Sequence, residues 1–301
     1  MRILISGSSG LIGTAISEAL ARDGHAVNRL LRTASSDRAQ SGDVHWDPVS
    51  GAFDAAAAEG ADAVVHLAGA SIAHGRWTAA RKSLLRTSRV DATRHLVDSL
   101  GALVHPPGIF VCASAVGYYG DRGDEPLDEL SAPGTDFLAT LTQDWEKEQT
   151  AATRFGARVV SLRFGIVLSG DGGALPRMAM PFKFGAGGRV GSGRQWMSWI
   201  DLQDVVGIAK FALANADLTG PINAVAPEPA RNSEFTRTLA GVLHRPAIFP
   251  APAFALRLAL GEMADALLLS SQRVFPRRLD EAGYAFEQPD LRAALRAALA
   301  R

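Results

Sequence analysis

The sequence predicts an α/β protein built on a doubly wound parallel sheet, with a smaller C-terminal lobe. Three observations carry that expectation. Apolar runs of strand length recur at 2–6, 26–31, 63–68, 109–113 and 158–162; segments with helical periodicity separate them; and the first run feeds a glycine-rich turn. Strands alternating with helices call for crossover connections that cover both faces of a parallel sheet.

The opening stretch, Met1 to Gly13, is the most specific. Gly7, Gly10 and Gly13 frame the turn Gly7-Ser8-Ser9-Gly10-Leu11-Ile12-Gly13. The first glycine permits positive φ, the second lets backbone approach a ligand closely, and the third lets the next helix pack on the strand. A diphosphate would then rest on the helix N-terminus. As an isolated pattern, a turn with close helix packing explains the glycines about as well. Ala15, Ile16, Ala19 and Leu20 continue as a helix, Gly24 ends it, and 26–31 forms a second strand, completing one β-α-β unit. At that strand's end stands Arg32 in place of an acidic residue. A carboxylate there would take ribose hydroxyls, whereas arginine favours a 2′-phosphate, so NADP(H) is expected over NAD(H). A solvated Arg32 is the plain alternative, and Arg29 and Arg38 are competitors for the phosphate.

Downstream, helices are expected near 78–86, 88–100 and 135–155. Between 169 and 193 the texture turns to glycine, proline and methionine, which reads as a loop over the site that packs through Leu175, Met178, Met180, Pro181 and Phe182. Asp204 is placed to cap a helix over 205–214, and 222–225 reads as the last core strand. Residues 1–225 are thus expected to form the dinucleotide-binding domain and 226–301 a mostly helical lobe with helices near 254–268 and 290–300.

The 301 residues suffice for a large core, and 31 basic residues balance 31 acidic ones. That balance argues against nucleic acid or an anionic membrane as partner and for a small molecule. The single cysteine, Cys112, lies in an apolar run and reads as a small buried hydrophobe. The seven histidines show no metal-ligand spacing. With no cleavable leader pattern and no apolar run near 20 residues, the expectation is a soluble cytoplasmic protein.

Several stretches together carry a family resemblance: GSSGLIG from residue 7, HWDP from 45, DAVVHLAGASI from 62, SRVDATRHL from 88, ASAVGYYG from 113, DFLATLTQDWE from 136, LRFGIVLSGDGGAL from 162, GSGRQWMSWIDLQDV from 191 and GPINAVAPEP from 220. They resemble the extended short-chain dehydrogenase/reductase superfamily with its Rossmann-like fold. Within it they are similar to the atypical epimerase family, nucleoside-diphosphate-sugar epimerase-like proteins with an extra C-terminal domain of unknown function. The resemblance implies that Gly7, Ser8, Ser9, Gly10, Leu11, Ile12 and Gly13 hold the dinucleotide, that Leu67, Ala68 and Gly69 run beside its adenosine and ribose, and that Gly165 faces the nicotinamide. Asp47 resembles the acidic residue that reaches the adenine, although capping its own Trp-Asp-Pro turn explains it equally well.

The family's Tyr-x-x-x-Lys pair is missing. The residues four beyond Tyr118, Tyr119 and Tyr284 are Arg122, Gly123 and Gln288, and Leu138 and Thr142 stand roughly at the matching helix positions. Arg89 replaces the family's active-site asparagine. Ser114, Tyr118 and Tyr119 are therefore the candidate catalytic residues, with Tyr119 alternatively a packed phenol, and Arg122 or Arg89 are candidate cations to support a tyrosine. For the substrate, Arg163, Arg194, Gln195, Trp196 and Ser198 match the pocket segments of related enzymes, and Lys183 in the loop and Asn223 at its strand are further candidate contacts, which suits a small ligand, phosphorylated or a sugar nucleotide. Solvated arginines, a snorkelling Lys183, a core Trp196 and an Asn223 that merely ends its strand are the structural alternatives. The expected activity is hydride transfer at a carbonyl or hydroxyl carbon, or epimerisation; the rival is a nucleotide-binding sensor that has lost catalysis.

Overall fold

The computed structural model describes residues 1–32 and 42–300. Arg38 lies outside them. The chain begins with β1 (Arg2–Ser6), α1 (Leu11–Arg22), β2 (Ala26–Leu31) and β3 (Val44–His45), followed by α2 (Ala55–Ala58) and β4 (Ala63–His66). Next come α3 (Ala79–Arg86), a π-helical turn at Thr87–Asp91, α4 (Ala92–Gly101) and β5 (Ile109–Ala115), which ends in a 3₁₀ turn at Val116–Tyr119. After β6 (Pro126–Leu127), α5 (Phe137–Thr150) leads to β7 (Arg158–Phe164) and β8 (Ile166–Leu168). The segment 169–193, expected to be a loop, contains α6 (Leu175–Lys183), with Pro176 in its first turn, where no N–H partner is needed. Then follow β9 (Trp196–Met197), β10 (Trp199–Asp201), α7 (Leu202–Ala214) and β11 (Gly220–Ala224). The remainder holds β12 (Ala230–Arg231), α8 (Asn232–Leu243), α9 (Ala253–Leu260), α10 (Glu262–Ala264), β13 (Arg273–Val274), α11 (Arg277–Glu281) and α12 (Leu291–Ala300).

Seven strands form one parallel sheet in the order β11-β7-β5-β4-β1-β2-β3. The period-2 alternation of each strand assigns its residues to two cores. Ile3, Ile5, Val65 and Val111 pack with Ile16 of α1 and Ile208 of α7 on one face. Leu4, Val64, Phe110 and Cys112 pack with Leu96 and Leu100 of α4 on the other. The buried Cys112 matches its expected role as a small hydrophobe.

Strand order reverses between β1 and β4, so a crevice opens at their carboxyl ends, where α/β sheets bind ligands. The chain after β11 pairs back on earlier strands: β12 lies antiparallel to β9, and β13 parallel to β6. No helix among the described residues is long and apolar enough to cross a membrane.

Candidate functional site

The glycine turn lies at the crevice. Gly7 has φ +68°, and a Cβ there would fall 2.8 Å from the Leu67 carbonyl carbon. On Gly13 a Cβ would fall 2.1 Å from the Gly7 carbonyl oxygen, which no rearrangement short of moving backbone relieves. Gly10 is exposed, and no side chain caps α1. The opening N–H groups of that helix are left for a ligand, which suits an anionic diphosphate. Gly172 and Gly173 pass against Leu11, so the segment before α6 does run over the turn.

A buried network fixes the opposite wall. Ser6 Oγ accepts from the N–H groups of Leu67 (3.0 Å) and Ala68 (3.2 Å), and its hydroxyl reaches His66 Nδ1 at 2.7 Å. His66 Nε2 reaches Thr93 Oγ1 at 3.0 Å, which also accepts from Trp145 Nε1. Burial holds the His66 imidazole down at about 4.

Arg32 is exposed at the end of β2. The Arg29 guanidinium is engaged by Asp43 at 2.5 Å. Asp47 accepts from Val49 N (2.9 Å) and Ser50 Oγ (2.7 Å), which realises the turn-capping alternative and holds its carboxyl below the ordinary range. Gly165 is required by packing, because its Cβ would sit 2.6 Å from the Ser198 carbonyl oxygen.

At the carboxyl ends of β5 and β7 lies a polar cluster. Ser114 Oγ donates to Glu146 Oε1 at 2.5 Å. Arg163 holds the same carboxylate with two bonds of 2.8 Å, from Nε to Oε1 and from Nη2 to Oε2. Its third nitrogen donates to the Tyr119 hydroxyl at 2.9 Å, which in turn donates to Asn223 Oδ1 at 2.7 Å. Asn223 Nδ2 donates to the Phe275 carbonyl. Tyr119 is fully enclosed, and burial raises its pKa to about 12 against the opposing pull of Arg163. The expected orientation of this hydroxyl toward the nicotinamide is therefore corrected: Tyr119 is a neutral, packed phenol among Val116, Leu127, Val225 and Val274.

Tyr118 differs from its neighbour. It is half-buried, its ring lies 3.5 Å from the Arg163 guanidinium carbon, and its hydroxyl has no hydrogen-bond partner among the described residues. Glu146 was not singled out from sequence. The available signal was helical spacing, since Leu138, Thr142 and Glu146 follow one another at four-residue steps along α5. Thr142 turns its hydroxyl back to the Leu138 carbonyl. Arg122 is paired with Glu125, away from either tyrosine hydroxyl.

Of the side chains expected to meet substrate, only those of Arg163 and Asn223 share a hydrogen-bond partner among the described residues, the Tyr119 hydroxyl. Arg163 and Asn223 belong to the polar cluster, with protein partners on their side chains. Gln195 is buried and donates to the Val190 and Leu268 carbonyls. Trp196 lies between Arg231 and Arg273, 4.5 and 4.8 Å from its ring, and donates to Asp124. Lys183 and Arg194 are exposed. A separate cavity of about 290 Å³ opens beside the 3₁₀ turn, bounded by Trp77, Asp121, Asp136, Leu138, Glu262 and Leu269. Aspartates and a glutamate outnumber its one arginine, Arg257.

The pattern of the NAD dependent epimerase/dehydratase family matches residues 3–225, and a domain of unknown function, DUF1731, matches residues 251–298. The chain is 45% identical over 295 residues to epimerase family protein Mb2239 of Mycobacterium bovis, covering 97% of this chain and 96% of that one. It is 38% identical to epimerase family protein YfhF of Bacillus subtilis, covering 98% and 97%. Among solved structures, human epimerase family protein SDR39U1 (isoform 2), determined with NADPH, superposes with a TM-score of 0.88 at 34% identity over the whole of both chains. A UDP-glucose 4-epimerase from Thermus thermophilus shares the fold at TM-score 0.75 and 18% identity. The chain is a member of the NAD dependent epimerase/dehydratase family.

Proposed function

We propose that this protein is an NADP(H)-dependent enzyme of oxidoreductase or epimerase type, acting on a carbonyl or hydroxyl carbon of a small polar molecule, with Ser114 and Glu146 handling the proton. The observation that carries this reading is the 2.5 Å contact between Ser114 Oγ and Glu146 at the carboxyl edge of the sheet. The NADPH bound by the human relative and the exposed Arg32 support the choice of cofactor. When bound, the dinucleotide supplies or accepts hydride.

Because Ser114 gives its hydrogen to Glu146, its oxygen presents lone pairs to an incoming hydroxyl. In the oxidative direction the substrate O–H proton passes to Ser114 Oγ as the serine proton passes to Glu146; reduction reverses both transfers. Arg163 fixes the carboxylate in place with its two hydrogen bonds. The carboxylates of the neighbouring cavity suit the hydroxyl groups of a polar substrate.

Fluorescence titration of the purified chain should show tighter binding of NADPH than NADH, and Arg32→Glu should abolish that preference. An unchanged preference overturns the role of Arg32, and failure of both cofactors to bind overturns the reading as a whole. Across a panel of aldehydes, quinones and nucleotide sugars, Ser114→Ala and Glu146→Gln should lower turnover by about 100-fold or more, the scale of positioned acid–base catalysis. Tight NADPH binding without turnover on any of them would favour a nucleotide-binding sensor, the reading favoured by the enclosure of Tyr119.

A further inference from the structure

Arg89 projects from the π-helical turn Thr87–Asp91 between α3 and α4. Wide turns of this kind recur at functional sites, because the extra residue re-aims a side chain. Its guanidinium lies against the carboxyl end of β4: a Cβ on Gly69 would fall 3.3 Å from the guanidinium carbon. Gly69 directly follows Ala68, whose N–H abuts Gly7. Arg89 therefore stands beside the glycine turn.

Among the described residues its environment holds no counter-charge. One nitrogen donates to the Ala70 carbonyl at 3.0 Å, with a long contact to the Leu85 carbonyl at 3.5 Å, and the group stacks 5.2 Å from the Trp145 ring. No carboxylate pairs with it among the described residues. Desolvation, and next the positive charge of Arg81, lower its pKa to about 10. Arg81 donates to the Ser71 carbonyl, and its Nε is buried without a partner. Two cations thus grip consecutive carbonyls of one crevice-lining segment with no anion to balance them. A desolvated charge left in this way is unfavourable unless a partner arrives.

We propose that Arg89, supported by Arg81, is an anion-binding residue of the crevice that takes a phosphate or carboxylate oxygen brought next to Gly69. The anion is either the dinucleotide's own diphosphate or an acidic group of the substrate. The assignment deepens the nucleotide-site reading above and rests on it for the position of the crevice.

The test is calorimetric titration of the full chain, as wild type, Arg89→Met and Arg89→Lys. The ligands are NADPH, inorganic pyrophosphate and malonate, the last two with and without saturating NADPH. Arg89→Met should weaken at least one of them about tenfold, and Arg89→Lys should restore only part of the loss, because ammonium supplies charge without the planar fork. If the cofactor is the source, the loss appears with NADPH, and NADPH excludes pyrophosphate. If the substrate is the source, NADPH binds all variants equally and the loss appears for pyrophosphate or malonate on the loaded protein. The melting temperature of unliganded Arg89→Met should equal or exceed that of wild type. Wild-type affinity for all three ligands in Arg89→Met overturns the proposal, as does a lowered melting temperature with unchanged binding, which would mark Arg89 as a structural prop. Should Arg89→Met fail to fold, Gly69→Ala, whose methyl displaces the guanidinium without deleting it, must show the same losses. Should wild type bind pyrophosphate or malonate but not NADPH, the nucleotide reading fails while Arg89 remains testable on the anions.

Discussion

His66 shows how one side chain can tie the crevice to pH. Ser6 Oγ already accepts two backbone N–H groups, so its hydrogen points to Nδ1, and the ring's proton sits on Nε2 facing Thr93. A second proton has no acceptor. The folded protein refuses it until about pH 4, whereas the unfolded chain takes it up below about 6.5. The contribution is therefore whole above pH 6.5 and declines as pH falls toward 4, by about 1.4 kcal/mol per pH unit and about 3 kcal/mol in all. Urea unfolding from pH 7 to pH 4 should show this slope in wild type and lose it in His66→Gln; equal slopes would refute the assignment. Residues whose role is local were legible in the sequence, as the turn glycines were. Glu146 was not, because its partners Ser114 and Arg163 reach it from 32 and 17 residues away. Tyr119 was misplaced for the same reason, since Asn223, which holds its hydroxyl, is 104 residues distant.

At the level of elements, α7 is instructive. The sequence places Asp204 as the cap of a helix over 205–214. The helix starts at Leu202, capped by Asp201, which accepts from Gln203 N at 2.8 Å. Asp204 is buried in the first turn instead and accepts from Glu287 N (2.8 Å) and Gln288 N (2.9 Å). The correction arises because a distant segment needs the second acceptor, which no local pattern announces. Asp204→Ala should destabilise the protein by about 2–4 kcal/mol by orphaning both N–H groups, and Asp204→Asn by less. Chemical denaturation reads the size, and faster hydrogen exchange at residues 287 and 288 reads the location. Helix α6 was read as loop because Pro176 and Pro181 interrupt its pattern; Pro176 fits the first turn, and Pro181 falls near the end of a nine-residue helix. The main strands and α1, α3, α5 and α12 were legible from periodicity, which burial on one face imposes directly.

For the whole molecule, ligand binding and stability are linked. If NADPH occupies the crevice, a concentration of 100 times its Kd adds about 2.7 kcal/mol to the unfolding free energy. Gly13→Ala, whose methyl would meet the Gly7 carbonyl, should lose that increment in urea unfolding with and without NADPH. An undiminished increment would place the ligand elsewhere. The alternation of strands and helices made the parallel sheet predictable as a whole. The closing of the C-terminal segment against strands laid down much earlier was not, because it rests on pairings that leave no periodic trace in either partner.

That closing gives the protein a birth order. Ser198 Oγ donates to the Gln272 carbonyl and accepts from Val274 N, Asn223 Nδ2 needs the Phe275 carbonyl, and β13 zips onto β6. All seven strands of the large sheet are synthesised by Ala224, so a chain growing from its N-terminus can assemble the scaffold while these acceptors are still inside the ribosome. Those contacts are completed only when residues 271–278 emerge. A chain arrested before residue 271 carries all seven strands of the large sheet but lacks the carbonyls that Ser198 and Asn223 donate to and the strand that pairs with β6.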